Sequence, residues 1–319
     1  MKYLQGLKTW QESQLKTQPA EKYTLAEEAI SRFQEAIKLN PNLDIYWRDL
    51  SQLYSAQLND LLQRQDLSRE EMSSQGQTFI NGAINGAKQA TDLNPENVAN
   101  WNVRGFVYRN MIGVVNGTSE WALTSYRKAA ELEPANPYIF TEIGRIYVAK
   151  YDIQEGTKEE NIMLARQNFE KSVQLKEDYA PARFQIAMTY VREGKIKEAI
   201  EKLEATKQVA SSDTGLAFQL GVLYNQDSQF DKAKAELERT IRLDENYSNA
   251  RYLLGLIYDR EGNRQGAIEQ FEKIEKLNPA NEEIKKILAN LQSDKPALEG
   301  IQPAQPPIEE KPAEIEKKK

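Results

Sequence analysis

Three stretches decide the fold: residues 186–203 read IAMTYVREGKIKEAIEKL, residues 220–237 read LGVLYNQDSQFDKAKAEL, and residues 254–271 read LGLIYDREGNRQGAIEQF. Laid over one another they share a step of 34 residues. Tyr190, Tyr224 and Tyr258 keep it, as do Ala199, Ala233 and Ala267, and Ile186, Leu220 and Leu254. A small residue (Ala187, Gly221, Gly255) and a large apolar one (Leu203, Leu237, Phe271) recur in the same frame. The pattern predicts a repeated pair of helices. The small residue predicts close packing, in which the alanine of the second helix approaches the first and large residues fill the space around them. Neither helix buries its apolar face alone, so successive hairpins must stack and stability becomes a sum over units.

The frame extends toward the N-terminus. Trp101, Gly105 and Tyr108 precede Ala122, Tyr126, Ala129 and Pro134; Trp47, Leu50, Ser51 and Tyr54 precede Ala83, Ala87, Ala90 and Pro95. Phe140, Ile143, Gly144 and Tyr147 precede Ala165, Phe169 and Ser172, and an opening second helix shows as Ala29, Phe33, Ala36 and Pro41. Proline lacks a donor and its ring clashes one turn back, so Pro41, Pro95, Pro134 and Pro279 are predicted to stop a second helix or start the next turn.

These series resemble the tetratricopeptide repeat family, whose first helix carries Trp, Leu, Gly and Tyr and whose second carries Ala, Phe, Ala and then Pro. The resemblance implies an all-α, right-handed superhelical solenoid of about seven helical hairpins. Residues 2–17, with Tyr3, Gly6, Leu7 and Trp10, suggest a degenerate opening helix, and residues 282–291, with Ile284, Ile287, Leu288 and Leu291, a C-terminal capping helix. The solenoid is assigned to residues 1–292. Residues 293–319 bring Pro296, Pro303, Pro306, Pro307 and Pro312 among Glu and Lys, a composition that buries too little surface to order itself, and are expected to be a disordered tail.

The earlier units depart from the 34-residue step. From the tyrosine to the second-helix alanine the last three units take 9 residues; Tyr54 to Ala83 takes 29, Tyr108 to Ala122 takes 14, and Tyr147 to Ala165 takes 18. Extended hairpins are therefore expected near residues 55–82, 109–121 and 148–164, all on the edge where hairpins turn. Such insertions are tolerated cheaply at exposed turns, and they also form a lateral edge suited to recognition.

Composition excludes much chemistry. The 319 residues hold no cysteine and no histidine, which removes thiolate nucleophiles, disulfides, imidazole bases and the usual zinc frameworks. Charged residues make up 28% with both signs interspersed and a net charge of −6, which gives no single-sign field for nucleic acid. No apolar run reaches the length of a membrane span, and the start lacks the apolar segment of a secretory signal, so the chain as written reads as soluble, in the cytoplasm or outside it. Gly82-Ala83-Ile84-Asn85-Gly86-Ala87-Lys88 has the wrong spacing for a phosphate loop; its glycines at four-residue spacing suit close helix packing instead. Glu27-Glu28 and Glu159-Glu160 point apart on a helix and read as solvated faces. Neither an enzyme activity nor a cofactor or metal is implied.

In the resembled family, ligands lie along first-helix residues not used for stacking. By frame these are Arg48, Gln52, Asn102, Phe106, Arg109, Thr141 and Arg145 in the earlier units, and Phe184, Met188, Arg192, Phe218, Val222, Asn225, Tyr252, Leu256 and Asp259 in the later ones. The expected groove passes from polar and cationic to apolar. It implies a non-catalytic scaffold that holds a protein or peptide segment, with apolar anchors at the Phe184 and Phe218 end. The family's lysine and asparagine clamp for a peptide carboxylate is not reproduced. A second resemblance is carried by Asn94-Pro95-Glu96-Asn97-Val98-Ala99-Asn100-Trp101 and Arg104-Gly105-Phe106-Val107-Tyr108, with Tyr46-Trp47-Arg48-Asp49-Leu50 before them. It is to the repeat region of bacterial O-antigen-ligase-like membrane proteins, and it implies a soluble module of an envelope polysaccharide-assembly system.

Overall fold

A computed structural model describes residues 1–16, 19–61, 64 and 67–301, apart from the side chains of Pro19 and Ala20. The described residues form fifteen α-helices and no strand. The chain divides into two compact units, Met1–Leu175 and Lys176–Lys319. The first holds four hairpins: α1 (Lys2–Gln14) with α2 (Pro19–Leu39), α3 (Asp44–Leu61) with α4 (Arg69–Leu93), α5 (Val98–Arg109) with α6 (Thr118–Leu132), and α7 (Pro137–Asp152) with α8 (Lys158–Leu175). The second holds three, α9 (Ala180–Arg192) with α10 (Ile196–Lys207), α11 (Thr214–Gln226) with α12 (Phe230–Leu243), and α13 (Ser248–Arg260) with α14 (Arg264–Leu277). A last helix, α15 (Glu282–Gln292), packs Ile284, Ile287, Leu288 and Leu291 against Phe271 and Ile274 of α14. In each unit, then, successive hairpins stack as the repeat requires.

Four hairpins close on a first-helix position that has no side chain. A Cβ placed on Gly105 would lie 2.5 Å from the Tyr126 ring, one on Gly255 2.7 Å from Phe271, and one on Gly221 2.8 Å from Leu237; Gly144 meets the Phe169 ring in the same way. The residue that approaches is thus the large one of the second helix, where the sequence pattern pointed to its alanine. Tyr126, Phe169, Phe271 and Leu237 are almost wholly buried in consequence. In α3 and α4 the roles reverse: a Cβ placed on Gly82 would lie 2.5 Å from the Tyr54 ring and one on Gly86 2.8 Å from the Trp47 carbonyl, so the glycines of that stretch serve packing.

The first-helix tryptophan has a different task. Trp47 Nε1 donates to the Pro41 carbonyl at 2.8 Å and Trp101 Nε1 to that of Pro95 at 2.6 Å, six residues back in the preceding turn. Where the same frame position holds arginine, the guanidinium makes that bond: Arg183 Nε donates to the Glu177 carbonyl at 2.6 Å and Arg251 Nε to that of Glu245 at 3.1 Å. A carbonyl left open by the turn is satisfied in each case. The tyrosine seven residues further on reaches back across the stack: Tyr224 donates to Glu204 at 2.9 Å and Tyr258 to Glu238 at 3.1 Å. Turns are fixed by caps as well, with Asn97, Asn136, Asp213, Asn263 and Asn281 each accepting from a backbone N–H of the helix that follows.

The long hairpins distribute their extra residues differently. In the second, helices α3 and α4 run 18 and 25 residues against 13 and 14 for α11 and α12, and α4 opens with a capping box of Ser68 and Glu71. In the third, the excess forms turns over residues 110–117, with Thr118 bonded back to the Met111 carbonyl at 3.1 Å. Residues 293–301, assigned by composition to the tail, fold back on the last helices. Ala297 is fully buried, its N–H donates to Asp259 at 2.8 Å, and Asn290 Nδ2 donates to the carbonyls of Ala297 at 3.1 Å and Glu299 at 2.9 Å. The rest of the tail, residues 302–319, lies outside the described residues.

Two stability outcomes follow from this packing. Gly105→Ala and Gly255→Ala force a methyl group into an aromatic ring and are expected to cost about 1–3 kcal/mol each in urea unfolding, as overpacking does; wild-type midpoints would contradict the ring-on-glycine contact. The α9/α10, α11/α12 and α13/α14 turns place Gly194, Ser228 and Gly262 at φ of 74°, 60° and 77°. Only the middle one carries a side chain in the left-handed region, so Ser228→Gly is expected to raise stability by roughly 0.5–1 kcal/mol, read as a higher unfolding midpoint.

Candidate functional site

First helices of the N-terminal unit build one concavity, a cavity of about 590 Å³ lined by Trp10 of α1, Gln52, Ser55, Ala56 and Asn59 of α3, Ala99, Asn102, Val103 and Phe106 of α5, and Tyr138 of α7. The volume is that of a ligand or peptide site. Every lining residue comes from an odd-numbered helix because the even-numbered ones use their apolar faces inside the hairpins. Aromatic and small side chains make the walls, and none of the lining residues carries a formal charge at neutral pH. Burial, and then the charge of Glu142, hold the Tyr138 hydroxyl above the ordinary phenol value, so it stays neutral.

Two polar atoms of the lining are withdrawn from solvent without a hydrogen-bond partner among the described residues: Trp10 Nε1, a donor, and Asn102 Oδ1, an acceptor. Such groups cost about 1–3 kcal/mol each when left unpaired. The other two first-helix tryptophans bond to turn carbonyls, so Trp10 differs from them in having none.

The structure brings together Asn102, Phe106 and Gln52 from the sequence-derived groove and places the others elsewhere. Arg109 and Arg145 both face Glu142, which is buried; Arg109 is ion-paired to it, Arg145 Nε lies 3.6 Å away, and the Arg109 guanidinium also lies 5.3 Å from the Phe106 ring centroid. Arg48 is 3.3 Å from Asp49, which also accepts from Tyr3 at 2.7 Å. Cations read as ligand-facing therefore have acids beside them, and the cavity itself is neutral. Thr141 is buried and hydrogen-bonded to Ser172 at 2.9 Å.

The expectation that Phe184, Met188 and Phe218 form an exposed apolar strip is corrected by the second unit. All three are buried in one core with Leu216, Leu220 and Leu223, and Phe218 lies 4.9 Å from the ring of Tyr247, which opens the next hairpin. Stacking of hairpins consumes that face. Val222, Asn225 and Arg192 are partly buried, with Arg192 bonded to the Met188 carbonyl at 3.5 Å. Tyr252 donates to Glu283 of α15 at 2.9 Å, Leu256 packs into the terminal core, and Asp259 holds the backbone of Ala297. These residues join α13 to α15 and to residues 293–301.

Sequence reasoning missed Trp10, Ser55, Ala56, Asn59, Ala99, Val103 and Tyr138. The signal for Trp10 was present: aligning Gly6, where an added Cβ would lie 3.6 Å from Phe33, with Ser51 and Gly105 sets Trp10 in frame with Ser55 and Arg109.

Residues 224–291 match the family described as Tetratricopeptide repeat. Among solved structures, the chain is similar to PilF of Pseudomonas aeruginosa at 14% identity and a TM-score of 0.50, covering 78% of this chain and 99% of that one. It is also similar to YrrB, described as a TPR protein with an unusual peptide-binding site, at 23% identity, a TM-score of 0.42 and coverage of 61% and 93%. MamA 41-end from Desulfovibrio magneticus RS-1 aligns at 22% identity, a TM-score of 0.43 and coverage of 56% and 97%. Residues 224–291 are thus tetratricopeptide repeats, and both units are built from helical hairpins of that fold. No curated protein matches it, so the likeness to O-antigen-ligase-like proteins rests on the quoted sequence motifs alone. Among the described residues no helix is long and apolar enough to cross a membrane.

Buried core and open cavity separate in a simple test. Phe218→Glu places a carboxylate in the core of the second unit and is expected to cost more than about 3 kcal/mol, the scale of losing a buried aromatic group. Circular dichroism during thermal unfolding measures it, and an unshifted transition would return Phe218 to the surface.

Proposed function

We propose that the N-terminal unit holds an uncharged, largely apolar segment of another polypeptide in the cavity between α3 and α5, and that the protein is a non-catalytic scaffold. The observation that carries this reading is the pair of unpartnered polar atoms, one donor and one acceptor, in a neutral aromatic lining. A peptide group offers both complements, a C=O for Trp10 Nε1 and an N–H for Asn102 Oδ1, once the two side chains turn to meet it. Side chains on that peptide would lie against Phe106, Val103 and Ala56. The lining holds no carboxylate, amine, imidazole or thiol, so it favours holding a ligand over moving its protons. Repeat folds offer this kind of surface because each hairpin contributes one first helix to it.

Panning a random peptide library on the full chain tests the reading. Selected peptides are expected to be poor in charged residues and to bind at least tenfold more weakly to Phe106→Glu, while Asn225→Glu in the second unit binds them as the wild type does. Equal losses on both variants, or none on Phe106→Glu, would remove the cavity from the binding reaction.

A further inference from the structure

The cavity suits one backbone conformation better than others, an inference that rests on the peptide reading above. Trp10, Phe106 and Tyr138 supply three rings, and Trp10 Nε1 is a buried donor without an acceptor. The amide groups of Gln52, Asn59 and Asn102 add further donors to the lining. A polyproline II segment is the complementary ligand: its carbonyls point outward unpaired, its prolines have no N–H seeking an acceptor, and its rings pack on aromatic walls. The unpartnered Asn102 Oδ1 then meets the N–H of a non-proline residue lying between two prolines. Neutral walls call for a neutral segment.

This chain carries one. Residues 302–308 read Gln302-Pro303-Ala304-Gln305-Pro306-Pro307-Ile308, without a charge, and Pro303 and Pro306 stand one turn apart on a helix of three residues per turn. Charge resumes at Glu309, so the uncharged stretch is bounded. In sequence it follows directly on the strap that Asp259 and Asn290 fasten to the second unit. We propose that the cavity of the N-terminal unit binds the Pro303–Pro306 segment of a second copy of this chain, the Trp10 and Asn102 side chains turning so that Trp10 donates to a prolyl carbonyl and Asn102 accepts from an intervening N–H.

Sedimentation velocity on the full chain, and binding of a peptide spanning residues 300–310, test this together. The wild type is expected to associate reversibly with rising concentration, and the double variant Pro303→Ala, Pro306→Ala to associate at least tenfold more weakly. The peptide is expected to bind that double variant and change its tryptophan fluorescence, and to bind at least tenfold more weakly once Asn102→Leu is added. Thermal unfolding of the Asn102→Leu chain at the wild-type midpoint shows that the loss is local. A wild type that stays monomeric at every concentration overturns the assignment to a second copy. A peptide whose prolines can be replaced by alanine without loss overturns the polyproline conformation. Should library-selected peptides bind where peptide 300–310 does not, this inference fails and the peptide reading stands; no binding by any peptide sinks both.

Discussion

One contact underlies the architecture: a large side chain of a second helix laid against a first-helix position that has no Cβ. Gly105, Gly144, Gly221 and Gly255 let Tyr126, Phe169, Leu237 and Phe271 come within van der Waals range of backbone, closer than a methyl group would allow. Burying such a side chain stabilises each hairpin by roughly 1.5–3 kcal/mol, and it also fixes the distance between the two helices. Everything stacked on top inherits that spacing. First helices can then line a concavity only because second helices are held behind them, with their apolar faces already used.

Most of the fold was legible because the contact repeats with a fixed step. A tyrosine, an alanine and a small residue, each recurring every 34 residues, can have little other cause than one packing solution used again. The large residue facing each glycine was in the pattern too, yet periodicity gives only which positions are apolar or small, and the choice of ring over alanine depends on side-chain direction. The strap at residues 293–301 was invisible for a related reason. Its composition resembles that of the following residues, and it is held by backbone groups bonded to Asp259 and Asn290, which leave no mark on hydrophobic patterning.

The cavity was half legible. Frame, read with the resembled family's use of first-helix residues that stacking leaves free, gave Asn102, Phe106 and Gln52, and these line the cavity. It failed at Phe184, Met188 and Phe218, where neighbouring hairpins cover the same frame positions, and at Arg109 and Arg145, whose charges face a buried Glu142. Both failures concern partners supplied by another hairpin. A single repeat specifies its own helices, whereas the accessibility of a groove residue is a property of the repeats on either side.

The strap also gives the array a final member. Repeat folds are open-ended in principle, because the last hairpin exposes the same kind of face that every earlier hairpin offered for stacking. Here Asn290 of α15 is engaged by carbonyls of the returning chain, and Ala297 is sealed beneath it, with Leu298 and Ile301 packed onto the terminal core. A short non-helical segment thus takes surface on which another helix could have been laid, so hairpin-on-hairpin stacking stops at α15.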